Sequence, residues 1–204
     1  MIYFIVTTSL FKDCPIRKSQ YINGITTLKR ICQNLALEDY TIIVVENNGA
    51  RKTFLDDFNL PVHYTMNNFL PFNNKGVKEL QDVFDTIKQY RIQDSDFIVK
   101  MTGRYILKDD SEFMKALAGR PLDYDAIIKF GFHMNPATNY NLNDCNTGLI
   151  GMKCSYVKKI ERPTTEPVEW KWAKCAKLID MRRIFEPATL GIAICPASNT
   201  YINI

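Results

Sequence analysis

The chain has 204 residues, 46% hydrophobic and 24% charged, an ordinary balance for one sizeable domain with a real core. A net charge of +4 and a pI near 8.7 suit an anionic ligand but are too mild to argue for nucleic acid. No apolar run reaches the roughly 18 residues of a membrane span, and no charged leader precedes the first strand-like segment.

Ile2–Val6 is a continuous apolar run, as expected for a parallel strand buried on both faces, and it ends in Thr7, Thr8 and Ser9. Tyr21, Ile25, Leu28, Cys32 and Leu35 recur at helical spacing, with Arg17 near the start of that helix. Thr41–Val45 predicts a second buried strand, closed by the polar turn Glu46-Asn47-Asn48-Gly49. A short helix around Lys52–Phe58 and a third strand at Val62–Thr65 complete a β-α-β-α-β order, the mark of a doubly wound sheet. After the loop Met66–Asn73, either Asn73 or Asn74 can cap a helix whose buried stripe is Val77, Leu80, Phe84 and Ile87. Lys75 lies at its start, where free backbone N–H groups suit an anion.

The stretch Asp94–Leu107 organises the rest. Phe97, Ile98 and Val99 predict a buried strand that runs into Lys100, Thr102, Gly103, Arg104 and Tyr105. Ligands of open α/β sheets bind at strand carboxyl ends, and an Arg fork fits phosphate oxygens. The cluster therefore reads as the floor of a site for a phosphorylated ligand, against the plainer reading of solvated strand-end charges. Asp109, Asp110, Ser111 and Glu112 open a helix that Gly119 and Pro121 end, and Ala126–Phe130 predicts a fifth strand. Gly131–Thr147 has no periodicity and is rich in Asn and aromatics, which suits a lid or a sugar-binding loop. A strand at Gly148–Met152, a short helix at Tyr156–Ile160, a linker at Pro163–Pro167 and a helix carrying Glu169 near its start follow. The chain closes with a strand at Gly191–Cys195 and a polar tail, Pro196–Ile204.

Several chemistries lack their residues. There is no G-x-G-x-x-G after the first strand, no phosphate-binding G-x-x-x-x-G-K-[ST] and no G-x-S-x-G elbow. His63 and His133 are the only histidines; His63 falls within a strand, whereas His133 falls in the long loop and can meet substrate. Cys14, Cys32, Cys145, Cys154, Cys175 and Cys195 form no C-x-x-C pair, which argues against a zinc site and for reduced thiols in the cytoplasm.

The order of these segments resembles the GT-A glycosyltransferases. The apolar strand before Thr7, Thr8 and Ser9 is similar to the family's first strand, and Val44-Val45-Glu46-Asn47-Asn48 to the second. Asn74-Lys75-Gly76 resembles a recurring Asn-x-Gly, and Gly148–Met152 the strand beside the acceptor pocket. Lys100-Met101-Thr102-Gly103-Arg104-Tyr105 resembles the Lys-x-x-Gly-Arg-Tyr stretch of small polysaccharide-building transferases of bacteria and large DNA viruses. The resemblance implies an α/β, GT-A-like single domain with a mostly parallel central sheet flanked by helices. Residues 1–108 would form the nucleotide-binding half and 109–204 the sugar and acceptor half, as a whole protein or one module of a longer one. It further implies a nucleotide-sugar donor, a UDP-sugar by preference, and a glycan acceptor. Thr7, Thr8, Ser9, Glu46, Asn47, Asn74, Lys75, Lys100, Thr102, Gly103, Arg104 and Tyr105 are then donor-binding candidates. His133, Thr147 and Gly148 are acceptor-binding candidates, with Asp144 and Glu169 as catalytic carboxylates for an inverting or a retaining route.

The chain departs from the family at one point: the metal-holding Asp-x-Asp is replaced by Lys100, Thr102 and Arg104. Cations there can neutralise a departing diphosphate directly, so Mn²⁺ or Mg²⁺ is allowed but not required. Asp109 and Asp110 are weak metal candidates that look more like helix-start residues. The competing readings are a sugar-phosphate nucleotidyltransferase, disfavoured because Thr7–Pro15 contains no Gly to cradle a triphosphate, and an inactive nucleotide- or glycan-binding module.

Overall fold

The computed structural model describes residues 1–10, 14–119, 122–131, 141–162, 165–194 and 202–204. Strands β1 (Ile2–Thr8), β2 (Tyr40–Glu46), β3 (Val62–Tyr64) and β4 (Phe97–Thr102) pair in parallel in the order β3-β2-β1-β4. The intervening helices are α1 (Pro15–Asn34) and α2 (Lys75–Gln89). After β5 (Ile106–Leu107) and α3 (Glu112–Ala118), the sheet is extended by β6 (Ala126–Ile127) and β7 (Leu149–Lys153). β7 inserts antiparallel between β4 and β6. Beyond α4 (Cys154–Val157) and α5 (Val168–Ala176), β8 (Ile184–Phe185) pairs parallel with β6 and closes the seven-stranded sheet. A small antiparallel sheet joins β5 to β9 (Ile192–Ile194) and β10 (Ile202–Asn203).

Strand alternation divides the core in two. Phe4, Val6, Val44, Val99 and Met101 pack with Ile25 and Leu28 of α1 and Phe113 and Leu117 of α3. Ile5, Ile43, Val45, Ile98 and Ile150 pack on the other face with Leu80, Val83 and Ile87 of α2 and Trp172 of α5. Lys100 shares the parity of Ile98 and therefore points under α2, not into solvent.

The structure revises several boundaries. Val83, not Phe84, completes the buried stripe of α2; Phe84 sits half-buried at its edge, and Asp82 and Thr86 join the buried face. Asn74 is the cap, its Oδ1 accepting from the Gly76 N–H at 2.8 Å. Residues 54–58 form a 3-10 turn. The predicted fifth strand is only two residues long, followed by a bridge between Phe130 and Cys145. That bridge, with the Gly131 N–H donating to the Asp144 carbonyl, gives the aperiodic stretch an ordered return. Positions 132–140, His133 among them, lie outside the described residues. Among the described residues no helix is long and apolar enough to cross a membrane.

Candidate functional site at the strand ends

β1, β2 and β4 stop in register: Thr8 lies opposite Glu46, and Thr7 opposite Thr102. Their ends open into a cleft of about 710 Å³. Of the donor-binding candidates, Thr7, Thr8, Ser9, Asn47, Lys75, Thr102 and Arg104 line it together. Arg17 and Lys78 add two more cations, so among the described residues the rim carries Arg17, Lys75, Lys78 and Arg104 against one carboxylate, Glu79. Lys78 is held in place by donating to the Asn68 carbonyl at 2.6 Å.

Five donor candidates have other roles. Lys100 is 5% exposed and ion-paired with Glu79, and its Nζ also donates to Thr102 Oγ1 (3.0 Å) and the Thr147 carbonyl (2.8 Å). With all three hydrogens engaged, it is not the open diphosphate-binding cation that the sequence predicts. Glu46 is fully buried. Its carboxylate accepts from Thr8 Oγ1 (2.9 Å), Leu10 N (3.0 Å), Asn48 Nδ2 (2.7 Å) and Arg51 (3.2 Å), so it braces the strand ends instead of facing a ligand. Asn74 caps α2. Gly103 lets the β4–β5 turn sit against β1, its N–H donating to the Thr7 carbonyl at 2.9 Å. Tyr105 lies on the far side of that turn, its ring against Gly148, where a Cβ would collide with it.

Tyr105 thereby lines a second pocket of about 220 Å³ with Asp144, Thr147, Gly148, Glu169 and Trp170. Both catalytic candidates and two of the three acceptor candidates therefore converge. Thr147 Oγ1 donates to Glu169 Oε1 at 3.4 Å, and Asp144 Oδ1 accepts from the Cys145 N–H at 2.9 Å. Cys145 also borders this pocket, but burial pushes its thiol well above its ordinary pKa, so it is a packed thiol and no nucleophile. The two pockets are linked through Lys100, which bonds Glu79 on the cleft side and the Thr147 carbonyl on the other.

The metal candidates fit poorly. Asp109 is exposed and paired with Arg30 at 2.6 Å, and neither Asp109 nor Asp110 lines the cleft. Among the described residues no three His, Cys, Asp or Glu side chains gather as a metal-binding group.

Sequence reasoning missed Tyr21, Asn68, Lys78 and Glu79. Tyr21 shows only its core-stripe spacing, yet its hydroxyl accepts from the Ser9 N–H at 3.0 Å, and burial raises its pKa. Glu79 and Lys78 sit one helical turn beyond Lys75, on the α2 face that the cleft exposes; that periodicity is the signal that could have found them. A larger depression of about 910 Å³, between Phe84, Arg91 and Arg162, lies at the opposite end of the sheet, where α2 ends and β4 begins.

No family model and no curated protein sequence matches this chain. Solved structures do match its shape. A 4-diphosphocytidyl-2C-methyl-D-erythritol synthase shares 11% identity over 100% of this chain and 92% of that one, with a TM-score of 0.53. An inositol-1-phosphate CTP transferase from T. maritima shares 12% over 90% and 84%, with a TM-score of 0.47. A glycosyltransferase involved in glycosylation of the major capsid of PBCV-1 shares 8% over 91% and 81%, with a TM-score of 0.46. At such identities the likeness is one of fold. The chain has an α/β, GT-A-like fold, a mostly parallel seven-stranded sheet flanked by helices.

Proposed function

We propose that the protein is a glycosyltransferase that moves a sugar from a nucleotide-sugar donor, preferably a UDP-sugar, to a glycan acceptor. The observation that carries this reading is the juxtaposition of a cation-rimmed cleft and a carboxylate-bearing pocket, joined through Lys100 and Thr147. Arg104, Arg17, Lys75 and Lys78 would meet the diphosphate. As the bond between the sugar's anomeric carbon and the diphosphate oxygen breaks, these cations would stabilise the charge left on the nucleoside diphosphate. Glu169 would take the proton from the attacking acceptor hydroxyl, with Asp144 orienting the acceptor. On this reading the rim cations do the electrostatic work, and donor binding needs little or no divalent metal.

A sugar-phosphate nucleotidyltransferase would need backbone N–H groups after β1 for a triphosphate. The Ser9 N–H is already bonded to Tyr21 and the Leu10 N–H to Glu46, which counts against that reading.

Titration calorimetry with UDP, UDP-glucose and GDP, with Mn²⁺ and with EDTA, tests the donor site. Wild type should bind a UDP ligand in EDTA, and Arg104→Ala should lose about 1.5–3 kcal/mol, the worth of a hydrogen bond to a charged group. Binding that requires Mn²⁺ overturns the metal-independent part; no nucleotide binding at all overturns the whole. For catalysis, Glu169→Gln should cost about 10²–10⁴-fold in turnover while UDP affinity stays unchanged. Wild type that binds UDP but hydrolyses and transfers no sugar would instead be an inactive binding module.

A further inference from the structure

The depression at the opposite end of the sheet has no part in this scheme. Its floor follows from the way α2 stops. Arg91 turns left-handed (φ +51°), its N–H donating to the Lys88 carbonyl at 3.3 Å, and the Ile92 N–H donates to the Ile87 carbonyl at 3.0 Å. That pair of bonds folds the outgoing chain back against the last helical turn. Here it brings Ile92 into the same buried cluster as Ile87. With Phe84 and Ile160 they form an apolar floor under a depression of about 910 Å³.

The walls are cationic on both sides of that floor. Lys88 and Arg91 stand at the end of α2; Lys158 and Arg162 stand at and after the end of α4. Two lining charges are already matched. Lys158 bonds Asp94 at 2.5 Å, and Glu161 is held by Lys174 at 3.2 Å and Lys171 at 3.4 Å. Among the described residues no carboxylate pairs with Lys88, Arg91 or Arg162. The Arg162 guanidinium lies over the Phe84 ring, 5.6 Å from its centroid, which holds one cation at the floor. Lys88 complements the carboxyl end of α2, and that accounts for it without a ligand. Arg91 has no such account, because glycine is the residue that suits its left-handed position.

Three unmatched cations select an anionic ligand, and their placement narrows its shape. A phosphate or a lipid headgroup carries its charge at one end. A bilayer would meet apolar side chains that protrude, whereas Ile87, Ile92 and Ile160 are buried and Phe84 is half-buried below the cationic side chains. Cations on two facing walls match an extended segment with an apolar centre and carboxylates to either side.

We infer that this depression docks an acidic peptide segment of a partner protein, with a large apolar side chain against Phe84 and carboxylates on Lys88 and Arg91 to one side and Arg162 to the other. Exposed ion pairs are individually weak, so the apolar anchor supplies most of the affinity and the cations choose the partner. The strand-end cleft opens at the other end of the sheet, so a docked partner leaves it clear. The inference does not depend on what that cleft binds.

The test is fluorescence anisotropy with a fluorescein-labelled peptide that carries one phenylalanine between two pairs of glutamates. Wild type should bind it with a Kd on the order of 10–100 µM at low salt. Replacing the phenylalanine by alanine should weaken binding about tenfold or more. Arg91→Glu combined with Arg162→Glu should also weaken it by about tenfold. Arg91→Gly should weaken it about threefold while the melting temperature holds or rises, because glycine relieves the left-handed backbone and removes a charge from the wall. A merely structural Arg91 would not show that split. No binding at about 1 mM peptide overturns the inference. Equal binding of the phenylalanine and alanine peptides shows a plain basic patch and overturns it too. Wild type that binds phosphatidylserine vesicles but not the peptide assigns the face to a membrane. A dimer in sedimentation that the double variant abolishes assigns it to a second copy of the chain; either result overturns the peptide site. If the double variant does not fold, Arg91→Gly decides, and unchanged peptide affinity there overturns the inference.

Discussion

Glu79→Ala should lower the melting temperature by about 6–12 °C, which for a domain of this size corresponds to ~3 kcal/mol. The loss comes less from the missing carboxylate than from the cation left behind. Lys100 is 5% exposed and, among the described residues, would keep the Thr102 hydroxyl and the Thr147 carbonyl as acceptors, both neutral. Glu79 itself is 28% exposed, so some water can replace it, and this places the cost at the low end of the range for a broken buried pair. Removing both charges is a different experiment. Glu79→Leu with Lys100→Met should recover most of the stability, because an apolar pair of similar volume avoids the desolvation penalty. Thermal unfolding followed by circular dichroism separates the two. A single variant that melts within about 2 °C of wild type would mean that Lys100 is hydrated and the bridge between the pockets is loose.

Gly24→Ala is the second large effect expected. Alanine in a helix interior gains about 1 kcal/mol over glycine in propensity, so on local grounds the substitution is stabilising. In this fold the new Cβ would collide with the Gly103 carbonyl and lie 2.8 Å from the Tyr105 carbonyl. Both are backbone atoms and cannot turn aside as a side chain would. The helix must move off the β4–β5 turn, at an overpacking cost of about 1–3 kcal/mol. Arg104 lies between those two carbonyls, so the displacement reaches the cleft. UDP affinity should fall by about tenfold or more, since misplacing a binding group by about 1 Å is costly. Calorimetry and melting on the same sample provide the check. A higher melting temperature with unchanged affinity would show that α1 and the turn have room to spare.

The central strands were legible in the sequence because β1, β2 and β4 are buried on both faces and each carries an apolar run, Ile2–Val6, Ile42–Val45 and Phe97–Val99. β8 was not: two half-buried residues between Arg183 and Glu186 carry no periodicity, and their place beside β6 is set only by the tertiary fold. β10, also two residues long, was hidden within a segment read as a polar tail. At the site, the location of the strand-end cleft was predictable and the roles of its charges were not. Lys100 and Arg104 look alike in sequence, but Lys100 lies within β4, where strand parity buries it beneath α2, whereas Arg104 lies in the turn beyond the strand and lines the cleft. Its partner Glu79 sits on a separate helix, and nothing local marks the two as a pair. Glu46 has the composition of a ligand contact, yet five donor contacts from its own chain surround it. The clustering of Asp144, Thr147 and Glu169 depended on the ordered return at Phe130 and Cys145, a long-range pairing with no sequence signature.

The antiparallel insertion of β7 also sets a timetable for the nascent chain. β1, β2, β3 and β4 require nothing beyond Thr102 to pair as they do, so the wall of the cleft formed by Thr8, Asn47 and Thr102 can assemble early in synthesis. The second pocket waits for Thr147 and Glu169, and it closes only after β7 has reached back beside β4. During that interval the growing protein carries half of its working surface and a bare β4 edge, the place where a chaperone or another copy of the chain would meet it first.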